Sequence, residues 1–411
     1  MRAQAKRVVR SLVAAGWLAA MGGIAAAQAP AGPAMPAAPL AGGMAAMGGS
    51  YVDPHGNSIV MPASYAPPCG PGGPGAYGGY AMGDPGSAYV DFGGYGPDQC
   101  GPYYFDVAVH AVFLRGENLF QDVPPLASVT ALGPTIMNPD ADFDDYEPGW
   151  QIMVRYDLGP LSVLEATYMG LYDIGFTDTR FSEIETDRFF GLPQQDQLNS
   201  VFSGYGANPI LGLDEGNVYT LDYQADLQST ELSYRRYWVG YHPRISGTYL
   251  LGARYLRMTE DLNFSTVTNS LSLEPLNGNL RYEADNDLVG FQMGGDGWIC
   301  LRQGLRLGGE TKVGIYNNRF KYYNAATLPD QDLDPFNNDG NQVAFAGEAS
   351  LDLVADILPS FSIRGGYRVL YMNSLVTVGN NIDPAELVST TVYTQADALF
   401  HGFHAGLEYI W

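Results

Sequence analysis

Positive charge is scarce in this sequence: 21 Lys and Arg stand against 44 Asp and Glu, a formal net charge of −23. Nucleic-acid binding needs clustered cations to meet phosphates, so that class of partner is excluded. Charge of either sign is thin at 16%, where ordinary globular domains carry roughly 25%. Only three cysteines occur, Cys69, Cys100 and Cys300, and none has a local His partner, so a zinc-type ligand set is not expected. Outside the first 30 positions no apolar run reaches the ~18 residues a helical membrane span needs. GxSxG, HExxH, Walker and dinucleotide signatures are also missing, and neither enzymatic activity nor a cofactor is expected.

Gly (51), Tyr (28) and Pro (27) are plentiful instead, and unevenly placed. Arg2, Lys6, Arg7 and Arg10 precede an apolar, Ala-rich stretch from Ser11 to Ala27. That is the pattern of an export signal over residues 1–27, with small residues for cleavage after Ala27 or Ala29. Residues 28–102 read as a low-complexity leader, with 18 Gly and 13 Pro between positions 30 and 102. Such a segment cannot bury enough apolar surface to offset its chain entropy, so disorder is expected. Cys69-Gly70-Pro71 and Cys100-Gly101-Pro102 repeat one tripeptide; in an oxidising compartment Cys69 and Cys100 could form a disulfide, leaving Cys300 alone.

From Tyr103 to Trp411 the texture changes to period-two alternation. Trp150, Ile152, Val154, Tyr156 and Leu158 oppose Gln151, Met153, Arg155 and Asp157. Phe361, Ile363, Tyr367, Val369 and Tyr371 oppose Ser362, Arg364 and Arg368. A soluble sandwich shares this period, but the connections discriminate. Candidate strands at 103–115, 148–158, 161–173, 226–241, 246–258, 284–299, 305–318, 343–356, 360–373 and 397–411 are joined alternately by short turns and long loops. That asymmetry belongs to transmembrane barrels. The expected fold is all-β, an antiparallel up-and-down transmembrane β-barrel of about ten strands. The number becomes twelve if Val218–Tyr223, which alternates inside the longest loop, forms a further pair.

Several segments resemble a known family. Leu250 to Met258 (LLGARYLRM), Asn286 to Gly294 (NDLVGFQMG), Gly365 to Tyr371 (GGYRVLY) and the terminal Phe400 to Trp411 (FHGFHAGLEYIW) are similar to the putative β-barrel porin family numbered seven. Ala253 stands where that pattern carries a bulkier aromatic. The resemblance covers about 103–411, implies a bacterial outer-membrane barrel and suggests a pore. It brings no substrate or active site with it.

The sparse charges concentrate on the strand face opposite the aromatics. Arg155, Arg235, Arg254, Arg306, Lys312, Arg364 and Arg368 share lumen-facing parity with Glu165, Glu231, Glu310, Glu348, Asp352 and Glu408. One reading is a set of charge ladders across a narrow channel; the other is salt-bridged filling of a barrel too small for a wide pore. Closure of the first strand on the last would bring His110 near His404, and Asp106 near Glu408, a weak metal or proton-relay candidate. His401 and Asp397 lie nearer the outer end without an evident partner pair. Asp330, Asp332, Asp334 and Asp339 alternate in a loop that offers, at most, weak Ca²⁺ ligands.

The leading expectation is therefore a narrow porin-like channel for ions or small polar solutes. Its partners would be the outer-membrane bilayer, those solutes, and further copies if it forms a homo-oligomer. The alternative is a structural or surface-display barrel with a salt-bridged, closed lumen. An outer-membrane hydrolase ranks third for want of a triad.

Overall fold

A computed structural model describes residues 105–410, apart from 118, 121–122, 130, 140–144, 160, 183, 187–192, 196, 240–243, 269–275 and 359, together with 50–52 and 58–60. The export signal, most of the leader, the Cys69–Cys100 pairing and the terminal Trp411 lie outside the described residues. Within the leader, Ser50–Val52 and Ser58–Val60 pair as a short antiparallel ladder.

Ten strands close into one antiparallel barrel. They are β1 (Phe105–Glu117), β2 (Glu147–Gly159), β3 (Ser162–Phe181), β4 (Val218–Val239), β5 (Ile245–Thr268), β6 (Leu276–Arg302), β7 (Leu305–Thr327), β8 (Phe336–Leu358), β9 (Phe361–Leu375) and β10 (Ala396–Ile410). Each pairs with its sequence neighbour, and β10 closes on β1 from Leu399↔Glu117 to Ile410↔Asp106. The count of ten holds because Val218–Tyr223 is the outer part of β4, not a separate strand.

The strands β4 to β8 run much further from the short-turn end than the sequence pattern suggests. β6 has 27 residues and β5 has 24. The reason is a change of polarity at constant parity. On the lower part of β6 the exposed residues are apolar: Val289, Phe291, Met293 and Ile299, with Phe291 76% exposed. Above them the same outward positions are Asp287, Asp285, Glu283 and Arg281, while the inward ones become Ala284, Tyr282 and Leu280, all buried. β5 switches likewise, from outward Leu251 and Tyr255 to outward Arg257 and Asp261, with Leu262 and Phe264 turned inside. Alternation persists, but the apolar face moves from outside to inside.

Two zones result. Around the lower zone the outside is a belt of exposed Val109, Phe113, Ile152, Leu232, Leu251, Phe291, Ile315, Leu351 and Phe403. From Val289 to Ile299 on β6, at about 3.3 Å per residue and a tilt of roughly 40°, this belt is about 25 Å tall. Aromatics edge it: Phe105, Tyr156 and Tyr409 near the short turns, Tyr146, Trp150 and Tyr172 near the long loops. The upper zone is a cup with a charged exterior. Its apolar interior joins Tyr219, Tyr223, Phe264, Tyr282 and Tyr322 to loop residues Leu119, Phe120, Leu126, Met137, Leu198, Leu213, Val376 and Val378 in one cluster.

Candidate functional site

All of the predicted lumen charges point inwards, and they meet. Arg155 contacts Glu165 at 2.8 Å, and Asp106 and Glu408 at 3.2 Å each. Arg235 contacts Glu165 at 2.6 Å, Glu310 at 2.5 Å and Asp296 at 3.0 Å. Lys312 links Glu310 (3.7 Å) to Glu231 (3.0 Å). Arg254 then bridges Glu231 (3.2 Å) to Glu348 (2.8 Å), and Arg368 reaches Glu348 at 3.3 Å. The result is one continuous web of alternating charge from β1 around to β9. Burying these ions is costly, and only the multiple opposed contacts make the layer tolerable.

On the short-turn side, Asp352 accepts from Arg364 (3.0 Å) and pairs with His404 (2.7 Å), while Arg306 reaches Asp356 at 3.0 Å. The Trp298 indole packs against two guanidinium groups, 5.8 Å from Arg306 and 5.4 Å from Arg364. Asp296, Asp356 and Trp298 were missed as site residues, although their lumen parity was legible. His110 and His404 come together across the closing seam, with ring centroids 5.8 Å apart. Gly406 lies opposite His110 in the β1–β10 pairing, and a Cβ there would run into the imidazole. Among the described residues, both ring nitrogens of His110 and Nδ1 of His404 lack a hydrogen-bond partner. A cavity of about 10 Å³ lies between His110, His404, Arg364 and the web residues Arg155, Glu165, Arg235 and Lys312, about the volume one water requires.

Above the ionic web, inward-facing side chains hold the chain at the end of β9 and just beyond it. Asn286 bonds Val376 through both backbone groups, at 2.6 and 2.9 Å. Asn318 and Gln342 both donate to the Ser374 carbonyl, at 3.0 and 2.7 Å, and Gln342 also to Thr394 at 2.8 Å. The Val378 amide donates to Glu260 at 3.0 Å, and Glu260 also accepts the Tyr223 hydroxyl at 2.6 Å. Glu260 stands at the level of the cup, above the apolar belt. Burial pushes its carboxyl up to about 7, against the lowering effect of its two hydrogen bonds. The sequence pattern missed Glu260 because it ended that strand at 258.

Of the alternating loop acids, Asp339 lies on β8, paired in register with Lys321. No group of three or more His, Cys, Asp or Glu placed to hold a metal ion occurs among the described residues. His401, by contrast, has the partner pair the sequence did not reveal. On the outer face of β10, its Nδ1 lies 2.5 Å from the Tyr367 hydroxyl and its Nε2 3.1 Å from Glu117.

No family model matches the chain, and no curated protein matches it, so the resemblance to the porin family numbered seven stays at the level of a β-barrel. Solved structures similar to it include the outer membrane protease OmpT from Escherichia coli, at 10% identity over 75% of this chain and 97% of that one, with a TM-score of 0.37. A major outer membrane protein from Thermus thermophilus is 11% identical over 76% of this chain and 100% of that one, with a TM-score of 0.28. An anion-selective porin from Comamonas acidovorans is 10% identical over 75% of this chain and 98% of that one, with a TM-score of 0.19. Scores this low leave the fold resting on the strand pairing itself and say nothing of activity.

Proposed function

We propose that the protein is an outer-membrane barrel whose lumen is structural filling, and whose long outer strands and loops form a rigid cup presented at the cell surface. The observation that carries this reading is the double closure. The cavity inside the ionic web is about 10 Å³, room for about one water, and the cup above it has an aromatic core continuous with the loops. Membrane insertion follows from the belt, whose height matches the ~25 Å apolar band of outer-membrane barrels and whose edges carry aromatics. Large apolar side chains exposed on every side of a closed cylinder have no satisfactory solvent other than lipid. Short turns then face the periplasm and the cup faces outwards.

A liposome-swelling assay tests this. Vesicles carrying the folded protein should swell no faster in small sugars or salts than vesicles carrying none, and solute-size-dependent swelling would overturn the closed-lumen reading.

A second reading, a gated narrow channel, is favoured by one feature. The upper stopper, from Ser374 at the end of β9 to Val378, is held largely by side-chain-to-backbone hydrogen bonds with Asn286, Asn318, Gln342 and Glu260. Combined Asn286→Ala and Gln342→Ala substitutions should loosen that segment. Conductance appearing in that variant alone would support gating, and continued silence would leave the lumen structural.

A further inference from the structure

The outer surface carries a cluster that the closed lumen does not use. Three strands meeting at the barrel seam supply it: Glu117 from β1, Tyr367 from β9 and His401 from β10. The side chains are chained in a set order. The Tyr367 hydroxyl lies 2.5 Å from His401 Nδ1, and His401 Nε2 lies 3.1 Å from Glu117 Oε1. A carboxylate only accepts, so Nε2 of the neutral ring carries the proton and donates to Glu117. Nδ1 is then the acceptor, and the tyrosine hydroxyl donates to it. A hydroxyl, a base holding a free lone pair towards it, and a carboxylate orienting that base are the parts of an activated nucleophile.

The location gives the cluster a substrate class. His401 pairs in register with Arg115, one row above the exposed Phe113 and Phe403 of the belt. Tyr146 packs its ring on both His401 (6.3 Å) and Phe403 (5.9 Å). The cluster therefore sits where the apolar belt gives way to charge, at the depth of lipid headgroups. Arg115, whose guanidinium is 3.8 Å from Glu117, places beside it a cation suited to phosphate oxygens. An interfacial aromatic anchor needs only one polar contact with the wet side of the membrane. A relay of three groups from three strands, with a guanidinium alongside, exceeds that need.

We propose that Tyr367, His401 and Glu117 form a lipid-facing phosphoryl-transfer site that acts on the phosphodiester of a membrane lipid headgroup. The assignment rests on the outer-membrane reading above. In the first step the Tyr367 oxygen forms a bond to phosphorus while its proton passes to His401 Nδ1. The bond from phosphorus to the leaving alcohol breaks, and that alcohol takes the proton back from His401. In the second step water attacks the phosphotyrosyl group, gives a proton through His401, and releases Tyr367 with its hydroxyl restored. The balance is phosphodiester plus water giving phosphomonoester plus alcohol. Tyr367 and His401 are the reacting groups. Glu117 is a positioning residue that fixes the imidazole tautomer and stabilises the imidazolium.

The test uses the full-length protein in phospholipid vesicles with bis(4-nitrophenyl) phosphate as probe. Flotation of the vesicles with heat-modifiable protein reports insertion separately from turnover, so failure to insert and failure to react are distinguishable. Inserted wild-type protein should release 4-nitrophenolate and, on rapid quenching, carry a 4-nitrophenyl phosphoryl group on Tyr367 by peptide mass spectrometry. Tyr367→Phe and His401→Gln should each lower turnover by about 10²–10⁴-fold, whereas Tyr249→Phe, a belt tyrosine remote from the site, should leave it unchanged. Glu117→Gln should lower kcat with little change in KM. Inserted wild-type protein that releases no nitrophenolate, or Tyr367→Phe protein that matches it, would overturn the proposal.

Discussion

Replacing Arg235 by Met would take one cation away from three carboxylates at once. Its guanidinium contacts Glu165 at 2.6 Å, Glu310 at 2.5 Å and Asp296 at 3.0 Å, and only 3% of its side chain is exposed. The three losses are unequal. Glu165 keeps Arg155 at 2.8 Å and Glu310 keeps Lys312 at 3.7 Å, whereas Asp296 keeps only the Thr248 hydroxyl at 2.9 Å. Removing one partner from a buried pair costs about 3–5 kcal/mol, because an uncompensated charge remains. With two of the three acids still served, the expected loss is about 4 kcal/mol, near a thousandfold in the folding equilibrium. Urea-driven unfolding in phospholipid vesicles, followed by tryptophan fluorescence and the heat-modifiable gel shift, measures it. A companion Asp296→Asn substitution removes the worst-placed acid and should recover at least half the loss. A cost below about 1 kcal/mol would refute the reasoning, since that is what a solvated pair is worth; the web would then be bathed in water and the lumen open.

Other consequences are open to measurement. Glu260 holds its proton more tightly folded, at about 7 against 4.5 unfolded, so its contribution is fully present below about pH 4.5 and is lost as pH rises through about 7. That difference makes the cup about 3 kcal/mol less stable at pH 8.5 than at pH 4 through this residue, and Glu260→Gln should flatten that part of the stability–pH curve. Met293→Arg, near the centre of the belt, should cost about 2–4 kcal/mol in vesicles, and an unchanged value would argue against lipid contact there. Gly406→Ala crowds the His110 ring across the seam and should cost about 1–3 kcal/mol in the same unfolding assay.

The barrel was legible because the lower zone follows the membrane rule without interruption: apolar outside, polar inside, short and long connections alternating. Strand boundaries were not legible where that rule reverses. From Asp287 to Arg281 the outward face of β6 meets water and is charged, so its apolar residues Ala284, Tyr282 and Leu280 turn inwards. A reading tuned to one polarity takes such a segment for loop. Asp339, expected in a loop, is a strand residue for this reason. Lumen charges were recoverable from parity alone, since a side chain on the inner face of a narrow cylinder has nowhere else to go. Their partners depend on register and strand order around the barrel. The Glu117–His401–Tyr367 chain was invisible because β1 and β10 lie at opposite ends of the sequence, and only closure brings them together.

Planar-bilayer recording from the purified, heat-modifiable protein tests the closed lumen most directly. The filled ionic web and the stopper above it predict a silent membrane at moderate voltage, with insertion confirmed on the same preparation by gel shift. Steady stepwise conductance from correctly folded wild-type protein would contradict the account and establish a continuous aqueous path through the barrel.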